Sequence, residues 1–176
     1  MPNWCDNSVR IRGSKEDIAA VKEKLNGPNN MVFDFNAIKP MPQALLNVSA
    51  PAKMHEDPQK VEFNKKKYGA VDWYDWANNQ WGTKWNASEA QLSEEDEENI
   101  VYTFQTAWAP PMPVYEEFTR QWPNLKIYVS YDESGMGFSG WTCYVNGQEE
   151  NSKQYDVSMY EMETYIHPSQ DVWEYV

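Results

Sequence analysis

The stretch NSVRIRGSKEDIAAVKEKL, residues 7–25, changes its hydrophobic period at a glycine. Residues 7–12 alternate polar and apolar side chains, which predicts a strand. After Gly13, Ser14 stands three residues before Asp17, a spacing typical of a helix N-terminus. The apolar residues that follow recur at helical spacing: Ile18, Val21 and Leu25. The stretch therefore predicts a strand–helix pair, ended by Asn-Gly-Pro at residues 26–28.

Extending the alternation of this strand backwards assigns its two faces. The odd-numbered face holds Asn3, Cys5, Val9 and Ile11. The even-numbered face holds Trp4, Asp6, Arg10 and Arg12. We therefore expect Cys5 to be a buried structural thiol.

The rest of the chain predicts further strands and helices around an insertion. Strands are expected at residues 31–35, 99–108, 125–131 and 138–145 and near 155–159, and helices at residues 71–80, ended by Gly82, and after Pro113. Residues 43–70 predict one or two helices. The first six elements of this order match βαββαβ, the split βαβ or ferredoxin-like arrangement.

The predicted fold class is α+β, with an antiparallel sheet, helices on one face, a helical insertion and an extra C-terminal hairpin. A chain of 176 residues fits a single domain, 1–176. Its ferredoxin-like core would comprise residues 1–42 and 99–157. The insertion would cover about 43–98, and residues 158–176 would form an acidic tail.

Composition indicates a soluble, cytoplasmic protein. The chain has nine tryptophans and 15% aromatic residues, so we expect an aromatic core. Its two cysteines, Cys5 and Cys143, share no motif and are expected to be free thiols. The N-terminus lacks the layout of a signal peptide, and no apolar run approaches the length of a membrane helix.

The net charge of −12 is concentrated in two acidic segments. Residues 94–98 carry five acids, and residues 156–176 carry five acids without a lysine or arginine. Such segments are either solvated or able to meet a basic partner. The candidate partner-binding residues are Glu94, Glu95, Asp96, Glu97, Glu98, Glu161, Glu163, Asp171 and Glu174.

Five segments occur along the chain in this order: MPNWCDN, FDFNAIKPMP, WANNQWGTKWNA, FQTAWAPP and YDESGMGFSG. In this combination the chain resembles the YubB-type ferredoxin-like family of phages and conjugative plasmids, over about residues 1–145. The resemblance implies the ferredoxin-like fold and a mobile genetic element as the setting. It implies no chemistry, because the family has no established activity or catalytic residues.

The segment WANNQWGTKW, residues 76–85, contains a lysine among tryptophans. It is not a Walker loop, because the upstream glycine is missing and threonine precedes the lysine. Lys84 either packs on indole surface or holds an anionic group of a ligand. The candidate ligand-binding residues are Asn3, Trp81, Lys84, Trp85, Trp108 and Glu133.

The remaining motifs do not predict catalysis, a cofactor, metal or nucleic-acid binding. Cys5 and Cys143 share no ligand spacing with His55 and His167, and no base is close in sequence to either thiol. The segment at residues 135–141 matches the RNA-recognition core poorly, and the acidic chain disfavours contact with phosphates. Glu133 either acts as an acid or base or is an ordinary turn residue.

The sequence thus leads to two functional hypotheses. The first is a non-catalytic accessory protein of a phage or plasmid that binds a host macromolecule. Its target would be a basic nuclease or nucleic-acid-handling complex of host defence, as for an anti-CRISPR or anti-restriction protein. The second is a protein, with or without enzymatic activity, that binds a small molecule or nucleotide around Trp81, Lys84, Trp85 and Glu133. A purely structural or dormant gene product is a third alternative.

Overall fold

The computed structural model describes residues 2–157, which form one mixed α and β structure. The strands are β1 (Trp4–Arg12), β2 (Ser88–Glu95), β3 (Asn99–Ala107), β4 (Lys126–Glu133), β5 (Phe138–Val145) and β6 (Gln148–Tyr155). The α-helices are α1 (Lys15–Leu25), α2 (Phe35–Ile38), α3 (Gln43–Leu46), α4 (Ala52–His55), α5 (Pro58–Tyr68), α6 (Trp73–Trp81) and α7 (Met112–Gln121). None of the helices in this range is long and apolar enough to cross a membrane.

The six strands form one sheet in the order β2-β3-β1-β4-β5-β6, with every neighbouring pair antiparallel. The first four strands of this order, with α1 and α7 as connections, make the ferredoxin-like arrangement. Strands β5 and β6 extend the sheet as a hairpin that turns at Asn146 and Gly147. The predicted fold class is confirmed.

The strand β1 lies at the centre of the sheet and confirms the predicted alternation. It pairs with β3 on one side and with β4 on the other. Cys5, Val9 and Ile11 are buried on one face. The predicted helix α1 begins after Ser14, whose Oγ accepts a hydrogen bond from the amide of Asp17. Burial of these apolar side chains against the helices stabilises the central strand.

The predicted strand at residues 31–35 is wrong. Phe33 and Phe35 are buried, but the chain turns between them instead of pairing with the sheet. The carboxylate of Asp34 accepts a hydrogen bond from the amide of Asn36 and starts the short helix α2. A capping aspartate therefore overrides the β propensity of its aromatic neighbours.

The second strand of the βαββαβ order is β2 instead. Its residues were predicted to belong to the insertion, which ends in the acidic segment at residues 94–98. Strand β2 pairs with β3 from Ser88 to Glu95, with two shifts of register. Its glutamates and its irregular pairing hide the alternation that identifies a strand, and both features are common at the edge of a sheet. The βαββαβ order therefore survives with a different segment in its third position.

The structure also refines the insertion and the C-terminal hairpin. Residues 43–70 contain three helices rather than one or two. Helix α6 confirms the helix predicted at residues 71–80, and Gly82 ends it in a left-handed conformation. The last described strand is β6, which ends at Tyr155 instead of beginning there. Residues 158 and 159 of the predicted strand lie outside the described residues.

An aromatic cluster fills the space between the sheet and the helices. Phe33 stacks on Phe104 with ring centroids 4.9 Å apart, and Phe35 meets the edge of Trp81 at 5.7 Å. Both cysteines are buried and free. Aromatic side chains thus supply a large part of the apolar area of the core, beside buried leucines and isoleucines.

Candidate functional site

Hydrogen bonds of three consecutive residues fix the end of helix α6, and those of Thr83 join it to the sheet. The indole of Trp81 is buried and donates to the carbonyl of Lys39 at 2.9 Å. The amide of Gly82, at φ 79°, donates to the carbonyl of Asn78. Thr83 Oγ donates to the carbonyl of Ala107 at 2.9 Å and accepts from its amide at 3.1 Å. The next two residues, Lys84 and Trp85, are therefore held beside the end of β3.

Lys84 and Trp85 form a cation–π pair at the surface. The ammonium nitrogen of Lys84 lies 3.9 Å from the centroid of the Trp85 ring. No carboxylate among residues 2–157 forms an ion pair with it. The Trp85 side chain is 41% exposed and contacts the half-buried Trp4, with ring centroids 6.0 Å apart. The lysine charge is therefore available to an anion from outside the described chain.

Trp108, which the predicted strand at residues 99–108 includes, lies with its backbone beside Trp4. It lies just beyond the strand with φ 74° and is 45% exposed. Its amide donates to the carbonyl of Asn3 at 3.0 Å, next to the pairing of Trp4 with Ala107. The turn at Trp108 directs the side chain out of the strand alternation. We call Trp4, Lys84, Trp85 and Trp108 the tryptophan patch.

A small cleft lies next to this patch. It has a volume of about 230 Å³, and Trp81, Lys84 and Trp85 line it together with Trp73 and Asn86. The side chain of Asn86 is already committed, because its oxygen accepts from the amides of Phe35 and Ala87. The cleft therefore combines three indoles with one cation.

Asn3 and Glu133 meet at a second position, which is not part of that cleft. A Cβ atom added to Gly135 would lie 2.6 Å from Nδ2 of Asn3 and 2.9 Å from Oε1 of Glu133, so both atoms flank one glycine. Glu133 is fully buried, and its other oxygen accepts from the amide of Met136 at 2.6 Å. Within residues 2–157 no ion pair joins Glu133 to Lys84. The structure therefore places Glu133 beside Asn3 instead of Lys84, and Asn3 in turn accepts from the amide of Trp108.

The acidic segment at residues 94–98 is largely engaged within the chain. Three of its glutamates form ion pairs across the sheet and to α1: Glu94 with Arg10 at 2.8 Å, Glu95 with Lys22 at 2.6 Å and Glu97 with Lys15 at 2.6 Å. The Asp96 carboxylate accepts from the amides of Glu98 and Asn99 at 2.8 Å. These bonds, first that from the Glu98 amide, lower the pKa of Asp96. The segment thus tightens the β2–β3 turn.

The other four predicted partner-binding acids lie outside the described residues: Glu161, Glu163, Asp171 and Glu174.

The thiol of Cys5 fits the predicted structural role. Burial raises its pKa far above the ordinary value, and the nearby charges of Asp6 and Glu133 act in the same direction. A thiol in this environment stays protonated and is a poor nucleophile. No group of three or more potential metal ligands occurs in the described part of the chain.

Two residues of this region were missed as candidates from the sequence. Trp4 was assigned to the even-numbered face of β1. Its contact with Trp85 could not be predicted from any local pattern. Trp73 lines the cleft from the start of α6. The abundance of tryptophan in residues 73–85 was a signal that could have identified Trp73.

Comparison with known proteins agrees with this fold. The crystal structure of protein Api92 from Yersinia pseudotuberculosis is similar to the chain with a TM-score of 0.61 and 11% identity, covering 88% of this chain and 98% of that one. At this identity the similarity concerns the fold alone. No curated protein matches the sequence. A family model described as the ferredoxin-like domain in Api92-like protein matches residues 80–167, half of the chain. The chain therefore belongs to the family of Api92-like proteins.

Proposed function

We propose that this protein is a non-catalytic binding protein of a phage or plasmid that docks a host protein through the tryptophan patch. The observation that carries the proposal is the exposure of Trp85 and Trp108, at 41% and 45%. Lys84 lies over the ring of Trp85, and the backbone of Trp108 lies beside Trp4. Tryptophan is enriched among the residues that contribute most to protein interfaces.

The chemistry of the patch defines the partner. Exposed indoles gain free energy when an apolar surface covers them, since each tryptophan carries a large apolar area. Lys84 adds one positive charge at the edge of this apolar area. The complementary surface is therefore apolar at its centre, with a carboxylate placed to meet the lysine.

The acidic segment at residues 94–98 is less suited to be the main contact. Its three ion pairs would have to be exchanged for pairs with the partner, which yields little net free energy at an exposed surface. The resemblance to mobile-element proteins supports a host target. A nuclease or other nucleic-acid-handling protein of host defence is the class that we propose.

A capture experiment tests this proposal. The tagged protein is mixed with lysate of the bacterial host, and retained proteins are identified by mass spectrometry for the wild type and for Trp85→Ala/Trp108→Ala. The matched control, Phe63→Ala/Tyr74→Ala, removes two aromatic rings that are also exposed. We expect one partner to be retained by the wild type and the control and lost from the tryptophan variant.

The salt dependence of capture distinguishes the two surfaces. Apolar docking persists at about 0.5 M NaCl, where charges on exposed groups are screened beyond about 4 Å, whereas docking through the acids does not. A partner that is retained by the tryptophan variant, or released by salt from the wild type, contradicts docking through the patch.

A second candidate function is the binding of a small anionic molecule in the cleft of about 230 Å³. The unpaired ammonium group of Lys84 within the described chain favours it. Tryptophan fluorescence is recorded during titration with a panel of nucleotides and metabolites, for the wild type and Lys84→Ala. A saturable change that is weaker in Lys84→Ala supports this function. If no compound changes the fluorescence, none of the tested compounds is a ligand of the cleft.

A further inference from the structure

A cavity of about 570 Å³ lies within the helical insertion, and no residue of the tryptophan patch lines it. The start of α4, the end of α5 and the first turn of α6 surround it. Its volume falls in the range of pockets that bind small molecules, about 300–1,000 Å³. The volume is thus sufficient for a ligand of one or two rings.

The wall of the cavity is largely apolar and aromatic. Trp73 and Tyr74 line it with ring centroids 5.7 Å apart and planes at 90°, and Pro51 and Val71 complete the apolar part. Tyr74 is 48% exposed, so the cavity is open to solvent on the side of this ring. Perpendicular rings of this kind hold a planar molecule by stacking on one and meeting the edge of the other.

The acidic groups at the cavity are occupied by the chain itself. Asp72 is buried, and its two carboxylate oxygens accept from the amides of Asp75 and Ala52, each at 2.9 Å. The carboxylate oxygens of Asp75 accept from the amide of Val71 at 3.1 Å and from Nδ2 of Asn79 at 3.3 Å. Both aspartates therefore serve to hold the helices around the cavity.

The basic groups at the cavity remain available. Lys53 and Lys65 line it and are exposed. Neither forms an ion pair with a carboxylate between residues 2 and 157. The formal charges of the two lysines and the two aspartates at the cavity balance, but only the lysines have hydrogen-bonding groups that no described residue engages.

We propose that this cavity binds a small planar aromatic carboxylate. The ring of the ligand lies against Trp73 and Tyr74, and its carboxylate pairs with the ammonium groups of Lys53 and Lys65. This second site goes beyond the proposed docking function, since it shares no residue with the tryptophan patch. Trp73 also lines the cleft at Lys84, whereas Gly69 and Val71 line this cavity and not that cleft.

Titration with a matched pair of probes tests the proposal. The ¹⁵N-labelled full chain is titrated with indole-3-acetate and, separately, with indole-3-acetamide, which has the same ring without the charge. We expect the carboxylate to shift the amide resonances of Gly69 and Val71 saturably. The neutral amide should bind about five- to twentyfold more weakly, because it loses the ion pairs with both lysines.

Two charge variants of the chain complete the experiment. Lys53→Gln/Lys65→Gln should weaken binding of indole-3-acetate about five- to twentyfold, as expected for one or two exposed ion pairs. The control Lys24→Gln/Lys66→Gln removes two exposed lysines that do not line the cavity and should bind like the wild type. The same spectra report whether each variant is folded.

Three results would overturn the proposal. One is the absence of a saturable shift at Gly69 and Val71 in the wild type. Another is equal weakening by the control variant, which indicates general attraction to positive charge. The third is equal affinity for indole-3-acetate and indole-3-acetamide, which would show that no lysine pairs with the ligand carboxylate. None of these results bears on docking through the tryptophan patch.

Discussion

Gly82 is the residue at which helix α6, helix α7 and the tryptophan patch meet. It ends α6 at φ 79°, a conformation that favours glycine. A Cβ atom at this position would lie 2.8 Å from Cδ of Pro113, which stands in the first turn of α7. The close approach of the end of α6 to the start of α7 therefore depends on the missing side chain.

We predict that Gly82→Ala lowers the free energy of unfolding by about 2–4 kcal/mol. About 1–2 kcal/mol comes from the left-handed backbone and the rest from the clash with the proline ring. Urea denaturation measures the loss. The matched control is Gly69→Ala, because Gly69 has φ 72° and no heavy atom within 4 Å of an added Cβ. The control should lose only the backbone part, and equal losses in both variants contradict the proposed clash.

Single residues also show where the sequence predicts well and where it does not. The glycine stop at Gly82 and the buried thiol of Cys5 follow from local rules, and the structure confirms both. The exposure of Trp108 does not, because its positive φ depends on the bond to Asn3, which is distant in sequence. The burial of Glu133 likewise results from tertiary packing.

At the scale of elements, the β2–β3 hairpin shows how charge can hide a strand. The glutamates of β2 are typical of a solvated linker, yet the backbone pairs with β3 and the side chains reach cations on β1 and α1. Helix α2 shows the reverse, since an aromatic run predicted a strand and a capping aspartate produced a helix. In the first case backbone pairing with a distant strand outweighs side-chain propensity, and in the second case a local cap does.

The ion pairs of this hairpin should contribute little, and in a salt-dependent way. We predict that Glu94→Gln/Glu95→Gln/Glu97→Gln lowers the free energy of unfolding by about 1–2 kcal/mol at low salt, since exposed pairs contribute about 0–1 kcal/mol each. Near 1 M NaCl, where the Debye length is about 3 Å, the loss should disappear. Urea denaturation at both salt concentrations provides the measurement.

A control for this variant must also remove three negative charges, because the whole chain is acidic and a lower net charge by itself changes stability. Glu23→Gln/Glu62→Gln/Glu150→Gln does so at exposed glutamates without an ion pair among the described residues. It relieves repulsion and should not destabilise the protein. If both triple variants change stability equally, the hairpin ion pairs make no specific contribution.

At the scale of the whole molecule, the sheet joins distant parts of the chain. The family model covers residues 80–167, which include β2 to β6. The central strand β1 comes from residues 4–12, far outside that range, and separates β3 from β4. The N-terminal segment is therefore part of the sheet and supplies its buried centre.

We predict that a fragment comprising residues 80–176 does not fold alone. Without β1, strands β3 and β4 each lose a full set of backbone partners, and the core loses Cys5, Val9 and Ile11. Such open edges favour aggregation over folding. Circular dichroism and the dispersion of the amide spectrum measure the result, and cooperative unfolding of the fragment would contradict it.

Complementation distinguishes a missing strand from a general loss of stability. A peptide of residues 2–27, which contains β1 and α1, should restore the dispersed spectrum when added to the fragment. The same peptide with Val9→Asp and Ile11→Asp should not, because the two buried positions then carry charges.

The sequence by itself determined the strand β1, helix α1 and the end of α6, because these depend on hydrophobic period and capping within a few residues. Only the tertiary structure decided that β2 completes the sheet in place of residues 31–35. It also decided that Lys84 lies over Trp85, that Trp85 contacts Trp4, and that Glu133 lies beside Asn3 instead of Lys84. These outcomes depend on contacts between residues far apart in the chain, whose free energies no local pattern contains.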